Sequence, residues 1–296
     1  MFSCRSARLP LVLLLSLPVL ATSAEARPRG SWQVQVQPAR VVNGSPLFIR
    51  VSAPLVMTGL SGRWLEHEVF FSYNSTDKAW YAIAGVSLET RPGKYPLDLR
   101  GAAAGGKQLT FQRKIGVGRA RYPHVAVTVA KQFTEPNPDQ LRKIDEDKGV
   151  KEAVFSRAPT DRQWAGEFQA PVNARVSDVF GTARTFNGQV QGVHQGLDYA
   201  VGEGTPVAAL NRGTVVLVRS LYFEGNFIVV DHGQGLLSLY MHLSKMEVKE
   251  GDQVTAGQRI AMSGGTGRAT GPHLHVAVRW QGIYVNPATL LTLKLP

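Results

Sequence analysis

The chain of 296 residues has very little cysteine, and Cys4 is its single thiol. One thiol cannot form an internal disulfide, and Cys4 precedes an apolar N-terminal stretch, so we expect the processed protein to fold without disulfides. The sequence also lacks a helical H-E-x-x-H motif, which excludes the metalloproteases that carry their zinc ligands there. It lacks Lys/Arg tracts interleaved with aromatic residues, and this argues against a nucleic-acid partner.

Acidic residues are the minority among the charged ones. Asp and Glu number 22 against 33 Lys and Arg, which gives a formal net charge of +11. A basic chain favours an anionic polymer as partner, such as nucleic acid, an acidic membrane surface or cell-wall material. Hydrophobic content of 44% and charged content of 19% are typical of a globular protein. The length suits about two domains.

The long apolar run of the chain lies at its N-terminus. Leu9–Leu20 follows two arginines and precedes small residues, with candidate cleavage points after Ala24 and Ala26. A positive start, an apolar core too short to span a bilayer and a small-residue site predict a secretory signal peptide at 1–26. We therefore expect export to the periplasm, or secretion, without stable membrane insertion after cleavage.

Residues 27–130 contain short runs in which apolar and polar residues alternate, a pattern typical of strands. A turn-rich break at Asn74–Asp77 predicts a hairpin between two of the runs. Seven short strands at this spacing predict an immunoglobulin-like β-sandwich, which we assign as an accessory domain. The runs are Trp32–Gln37, Leu47–Val51, Val69–Tyr73, Trp80–Val86, Lys94–Leu99, Gln108–Gln112 and Val125–Val129.

The sequence of residues 131–165 predicts a linker that contains a short helix and packs across two domains. Asn137 can cap the helix, with Pro138 at its first position and Gly149 at its end.

From 166 to 296 glycine becomes frequent, and β-rich runs replace any amphipathic helix of useful length. This pattern predicts a C-terminal antiparallel β domain, so the chain as a whole is expected to be all-β. The runs are Gly213–Arg219, Phe227–Asp231, Leu236–Met241, Arg259–Ser263 and His273–Trp280.

Five of the seven histidines lie in this last domain, and four of them fall in candidate site motifs. His194 and Asp198 form H-x-x-x-D, His242 ends an alternating strand, and His273 and His275 are two apart, on one face of a predicted strand. Two imidazoles and one carboxylate are the ligand set of a catalytic zinc with a free position for water. Two further histidines suit proton transfer or oxyanion stabilisation. The fifth, His232, is interpreted as a structural histidine at a strand end.

Taken in order, four motifs over about 185–288 resemble the lysostaphin/LytM-type (M23 family) zinc peptidases that cut peptidoglycan cross-bridges. The resemblance implies a LytM-type domain at 166–296, with Zn²⁺ held by His194, Asp198 and His275. It implies catalytic roles for His242 and His273. The matching motifs are Val193–Ala200, Gly204–Val207, Tyr240–Leu243 and Gly264–His275.

The stretch Arg184–Gly188 resembles the exported Gram-negative murein endopeptidases of that family. This implies an endopeptidase acting on peptidoglycan peptide stems, on the D-Ala–diaminopimelate cross-link, with a glycine bridge as the alternative. Asn187 is predicted to line the substrate groove; a simple turn residue is the alternative. A non-catalytic wall-binding or amidase-activating module is a further alternative, although such relatives lose ligands that are all present here. The N-terminal domain or the linker is expected to limit access to the site; the alternative is that it only positions the enzyme.

Overall fold

The computed structural model of the chain describes residues 1, 30–157, 161–188 and 190–296, and for 190 and 191 it describes the backbone. Ser31–Pro296 forms one compact unit. Strands dominate this unit, which confirms the predicted all-β class. Apart from Met1, the predicted signal peptide lies outside the described residues. Within those residues, every helix is too short or too polar to serve as a transmembrane span.

Ten strands precede the first α-helix in the described part of the chain. They are β1 (Gln33–Gln37), β2 (Val41–Val42), β3 (Pro46–Ser52), β4 (Met57–Trp64), β5 (His67–Phe70), β6 (Ser72–Asn74), β7 (Ala79–Gly85), β8 (Gly93–Ala103), β9 (Gln108–Gly118) and β10 (His124–Val127). A 3₁₀ turn at Lys131–Phe133 leads into helix α1 (Pro138–Phe155).

A second set of strands follows α1. They are β11 (Val176–Asp178), β12 (Ala183–Phe186), β13 (Val190–Val193), β14 (Gly196–Tyr199), β15 (Pro206–Ala208), β16 (Gly213–Leu221), β17 (Gly225–Asp231), β18 (Leu236–Met246), β19 (Gln253–Val254), β20 (Arg259–Ser263), β21 (Leu274–Trp280) and β22 (Ile283–Val285). The short helix α2 (Pro287–Leu290) comes last.

The first nine strands form two sheets, in the orders β1-β3-β7-β6 and β2-β9-β8-β4-β5. The predicted hairpin is confirmed, because β6 pairs antiparallel with β7 across the turn. β4 was not predicted, since small and polar residues interrupt its alternation. The immunoglobulin-like assignment and the boundaries at 130 and 165 stay predictions.

β10 corrects one strand assignment. The run Val125–Val129 was expected to complete the N-terminal sandwich, but β10 pairs in parallel with β12, which pairs with β13 on its other edge. Alternation within a segment reports that it is a strand and which face is apolar, but it does not identify a partner far along the chain.

Helix α1 begins where the sequence predicts it. The Asn137 side chain accepts from the backbone of Gln140, and the Gln140 side chain accepts from Asn137 in return. The predicted end at Gly149 is wrong, since the helix continues to Phe155. Val154 and its neighbours pack against the apolar face of β16, β17 and β18. That burial offsets the roughly 1 kcal/mol that a helical glycine costs.

The last twelve strands centre on an antiparallel sheet in the order β11-β14-β21-β18-β17-β16-β19, as predicted for this domain. One apolar cluster joins it to the N-terminal sheets. Within that cluster Phe48 meets Trp164 edge-on, with ring centroids 6.3 Å apart. The ring of His67 lies 5.1 Å from that of Trp280.

Candidate metal centre and active site

Neighbouring strands place Asp198 and His275 opposite each other. β14 and β21 run antiparallel, and Asp198 pairs with His275 in their register. Directly opposite residues of antiparallel strands point to the same face, so the carboxylate and the imidazole meet. His194 precedes β14, and its backbone N–H donates to the carbonyl of Thr182.

A glycine makes this meeting possible. A Cβ at Gly196 would lie 2.6 Å from His275 Nε2 and 2.5 Å from the carbonyl oxygen of Val276. Any side chain at this position would therefore displace His275 or the strand that carries it. This is the physical reason for glycine in the middle of the His194–Asp198 motif.

Three donor atoms converge in a small buried volume. His194 Nε2 lies 3.0 Å from both Asp198 Oδ1 and His275 Nδ1, and His275 Nδ1 lies 2.6 Å from Asp198 Oδ1. All three atoms lie within 4.8 Å of one another, and all three residues are buried. Two imidazole nitrogens and one carboxylate oxygen suit a metal ion that keeps a further position free. The residues therefore fit the metal that the sequence predicts.

The backbone sets the tautomer of His194. Its Nδ1 donates to the carbonyl oxygen of Val179 at 2.8 Å. A carbonyl can only accept, so Nδ1 carries the proton and the Nε2 lone pair faces the cluster.

The protonation states of Asp198 and His275 at neutral pH also favour metal binding. Burial by itself would raise the pKa of Asp198, but the neighbouring His275 and His194 outweigh it and hold that pKa well below its usual range. Burial lowers the pKa of His275 against the opposing influence of Asp198. At neutral pH the pair therefore offers an ionised carboxylate and a neutral imidazole, the forms that bind metals.

Arg184 holds the second oxygen of Asp198. Its Nη2 donates to Asp198 Oδ2 at 2.5 Å and to Asp178 Oδ2 at 2.6 Å. Asp178 is itself oriented, because its Oδ1 accepts from Thr182 Oγ1 at 2.7 Å. Asp198 is thus fixed with Oδ1 toward the histidines, as outer partners commonly fix metal ligands. Sequence reasoning gave neither Asp178 nor Arg184 a role. The available signal was that a buried carboxylate needs a cation.

His242 lies at a distortion of β18. Its φ is 60°, in the left-handed region that non-glycine residues rarely adopt. Met241 and His242 are adjacent yet both line the same cavity, which a regular strand would not allow. The distortion is therefore what turns the imidazole toward the cluster. Such strained positions concentrate at functional sites.

Burial keeps His242 neutral, against the opposing effect of its hydrogen bond to the backbone. Its Nδ1 donates to the carbonyl oxygen of Thr266 at 2.8 Å. Burial, reinforced by His275 and His273, lowers the pKa of His242 to about 3. At neutral pH its Nε2 is therefore an unprotonated acceptor.

His273 lies beside His242, just before β21. The two ring centroids are 4.8 Å apart, and His273 Nε2 lies 3.8 Å from Asp198 Oδ1. Its Nδ1 donates to the carbonyl oxygen of Gly271 at 2.8 Å. A cavity of about 540 Å³ brings together all five residues singled out from the motifs: His194, Asp198, His242, His273 and His275.

Asn187 is engaged by a neighbouring segment. Its φ is 49°, its Oδ1 accepts from Val129 N at 2.9 Å, and its Nδ2 donates to Val129 O at 3.0 Å. Val129 lines the cavity, so Asn187 acts on the cavity wall through it. A direct contact of Asn187 with substrate stays a prediction.

A family model places this site among known proteins. The model of Peptidase family M23 matches residues 192–287, the stretch that contains all five motif residues.

Curated relatives agree with the family model. The chain is 36% identical over 161 residues to the peptidoglycan DD-endopeptidase ShyA of Vibrio cholerae, which is 52% of this chain and 32% of ShyA. It is 35% identical over 191 residues to ShyC, another peptidoglycan DD-endopeptidase of that organism, which is 62% of this chain and 41% of ShyC. The chain thus spans well under half the length of these relatives.

A solved structure extends the likeness toward the N-terminus. A chain from Pseudomonas aeruginosa, described as a candidate M23 peptidase, aligns with a TM-score of 0.63 at 28% identity. The alignment covers 85% of this chain and 95% of the other. The site, the family model and these relatives agree that residues 192–287 form a domain of peptidase family M23.

Proposed function

We propose that this protein is a periplasmic zinc endopeptidase that hydrolyses peptide cross-links in bacterial peptidoglycan. The observation that carries the proposal is a three-donor cluster, within 4.8 Å, in a cavity shared with His242 and His273. Relatives named as peptidoglycan DD-endopeptidases support the substrate class. The D-Ala–diaminopimelate bond is the proposed target.

His194, Asp198 and His275 are the proposed zinc ligands. When bound there, zinc supplies a Lewis acid and lowers the pKa of a bound water. His194 offers Nε2 because its Nδ1 proton is engaged by a backbone carbonyl. Arg184 keeps Asp198 turned toward the two imidazoles.

His242 and His273 are the proposed proton carriers. Both donate their Nδ1 protons to backbone carbonyls, so the lone pair of each ring in its neutral form lies on Nε2. One Nε2 can accept the proton of the attacking water, and a ring protonated in this way can return it to the leaving amine. The second ring can take up a proton from solvent at Nε2 and then donate a hydrogen bond to the oxyanion.

Export and charge suit such a substrate. The predicted signal peptide would deliver the enzyme to the compartment that holds peptidoglycan. The net charge of +11 favours approach to an anionic wall polymer.

The decisive experiment uses purified 27–296 and a defined D-Ala–diaminopimelate cross-linked muropeptide. We expect mass spectrometry to detect the two monomers, chelation to stop their release and zinc to restore it. His273→Ala should retain one zinc per chain and lose about 10²- to 10⁴-fold in rate, as expected when a proton carrier is removed.

Two results would contradict the proposal. Release that continues after complete zinc removal would exclude the metal mechanism. Equal effects of wild type and His273→Ala on wall lysis would favour the wall-binding or amidase-activating module instead.

A further inference from the structure

Arg268 is a cation in the cavity that the proposed mechanism does not use. It lines the cavity together with the catalytic candidates. Its Cζ lies 4.6 Å from the ring centroid of Phe186 and 4.7 Å from that of Phe223. Two aromatic faces on one guanidinium restrict its orientation and leave its N–H groups available at the edge of the plane.

The loop that carries Arg268 is also fixed. Its backbone N–H donates to the carbonyl of Phe223 at 2.8 Å. A Cβ at Gly225 would lie 2.3 Å from Thr266 Oγ1, so the two turns are in close contact. The carbonyl of Thr266 accepts from His242. The position of Arg268 is therefore tied to that of His242.

The charged groups near Arg268 in the cavity have partners, except that the Oε2 atom of Glu224 is buried without a hydrogen bond and its charge raises the pKa of Arg268 against the effect of burial. Arg184 is bonded to two carboxylates, including Asp198. Glu224 accepts from Lys151 through Oε1. Within the described residues the guanidinium of Arg268 makes neither a hydrogen bond nor an ion pair. A half-buried cation of this kind is an unfilled site for an anion.

We propose that Arg268 binds a free carboxylate of the peptide substrate and thereby selects cross-links that carry one. The inference rests on the proposed function and deepens it. A guanidinium matches a carboxylate with two parallel N–H donors. Diaminopimelate has two amino and two carboxyl groups. When its side-chain amine is acylated in a cross-link, the carboxylate on the same carbon stays free. Glycine residues within a bridge offer no such group, so Arg268 favours the diaminopimelate cross-link.

The test uses two synthetic cross-linked peptides that differ in this one group, a free carboxylate in one and its primary amide in the other. We expect wild type to show a kcat/KM about 10- to 100-fold higher for the free acid. Arg268→Gln should bring the ratio of the two values close to one. Arg268→Lys keeps the positive charge but loses the planar pair of N–H donors. Its ratio of kcat/KM for the acid to kcat/KM for the amide should lie between those of wild type and Arg268→Gln.

Arg219→Gln is the matched control, because Arg219 is exposed and paired with Glu250 at 2.7 Å. It should keep the wild-type ratio. A misfolded variant would lose both activities together, whereas the proposal requires a change in their ratio. A wild-type ratio near one, or an unchanged ratio in Arg268→Gln, would overturn it.

A binding measurement tests the carboxylate site of Arg268 independently of the proposed endopeptidase activity. Calorimetry of the zinc-loaded protein with the same two peptides should show the same preference for the acid, and Arg268→Gln should abolish it. If neither peptide is cleaved but the binding preference is present, the endopeptidase activity fails and the carboxylate site stands. If cleavage is seen without a preference in either measurement, the carboxylate site fails alone.

Discussion

The N-terminal sheets and the C-terminal domain are built from the same kind of element but bury different chemistry. In residues 31–118, all of which the structure describes, Ser45 is the one buried polar side chain. The described residues after 161 bury two carboxylates, those of Asp198 and Asp231, and four histidines, including His232. Buried polar groups cost free energy unless each is hydrogen-bonded. The region with the site therefore depends on hydrogen bonds to these groups as well as on apolar packing, whereas the N-terminal sheets depend almost entirely on packing.

The apolar core is shared between the N-terminal sheets and the C-terminal domain, so the first can stabilise the second. Phe48 packs on Trp164, and His67 on Trp280, which ends the strand that carries His275. The apolar sheets thus support the strand that positions a candidate ligand. Deleting 27–165 would remove this support as well as any barrier to the cavity.

The largest expected contrast comes from deleting one imidazole in each region. His275→Ala should lose zinc and lower kcat/KM about a thousandfold or more, because the metal supplies several kcal/mol of transition-state stabilisation. His67→Ala makes the same deletion in the N-terminal region. It should keep one zinc per chain and keep its activity within about twofold. Zinc analysis and muropeptide assays measure both.

The proposed difference between the two regions would be contradicted if His275→Ala retained its zinc and its rate of hydrolysis. It would also be contradicted if His67→Ala lost zinc to the same extent as His275→Ala.

The next largest effect concerns acid stability. Burial lowers the pKa of His232 from its ordinary 6.5 to about 4. Between about pH 6.5 and 4, His232 is therefore neutral in the folded state but protonated in the unfolded chain. The stability that neutral His232 contributes is complete above about pH 6.5, and about 3 kcal/mol of it is lost as the pH falls to about 4.

Urea unfolding of wild type and His232→Asn between pH 7.5 and 4.5 measures this. The variant should start less stable and lose less on acidification. Parallel pH profiles would show that the buried histidine is not the cause.

A smaller effect tests the shared core. A Cβ at Gly85 would lie 2.7 Å from Val285 Cγ1 and 3.2 Å from Trp280 Cε3. Gly85→Ala should lower the free energy of unfolding by about 1–3 kcal/mol through overpacking, in a single transition. Gly116→Ala is its control, since a Cβ there meets no atom within 4 Å. Two separate transitions in thermal unfolding would show that the regions fold independently.

The smallest effect concerns the helix that joins the two regions. Asn137→Ala removes the cap of α1 and should cost about 1 kcal/mol in urea unfolding. Asn137→Asp keeps a capping oxygen and should stay close to wild type. A loss shared by both variants would assign the effect to something other than the cap.

Each motif of the site could be recognised in the sequence because its own spacing is local, and the resemblance to M23 peptidases predicted which motifs act together. His194 and Asp198 are four apart and flank the glycine that leaves room for His275. The groups that orient them could not be predicted. Arg184 reaches Asp198 only because β12 lies near β14, and Arg268 is positioned by two phenyl rings from distant segments.

The fold shows the same limit. Alternating runs located most strands, since one buried face requires a period of two. The predictions of where α1 ends and of which strand β10 pairs with were wrong, because both features depend on contacts with residues far along the chain. Gly149 would end an isolated helix, but Val154 beyond it is buried against the sheet.

Anomalous diffraction at the zinc edge, from crystals of the zinc-loaded protein, tests the central claim most directly. The account predicts one strong peak within bonding distance of His194 Nε2, Asp198 Oδ1 and His275 Nδ1, with His242 and His273 nearby but not ligating. A peak held by His242 or His273 in place of one of these three, or a peak outside the cavity, would contradict it.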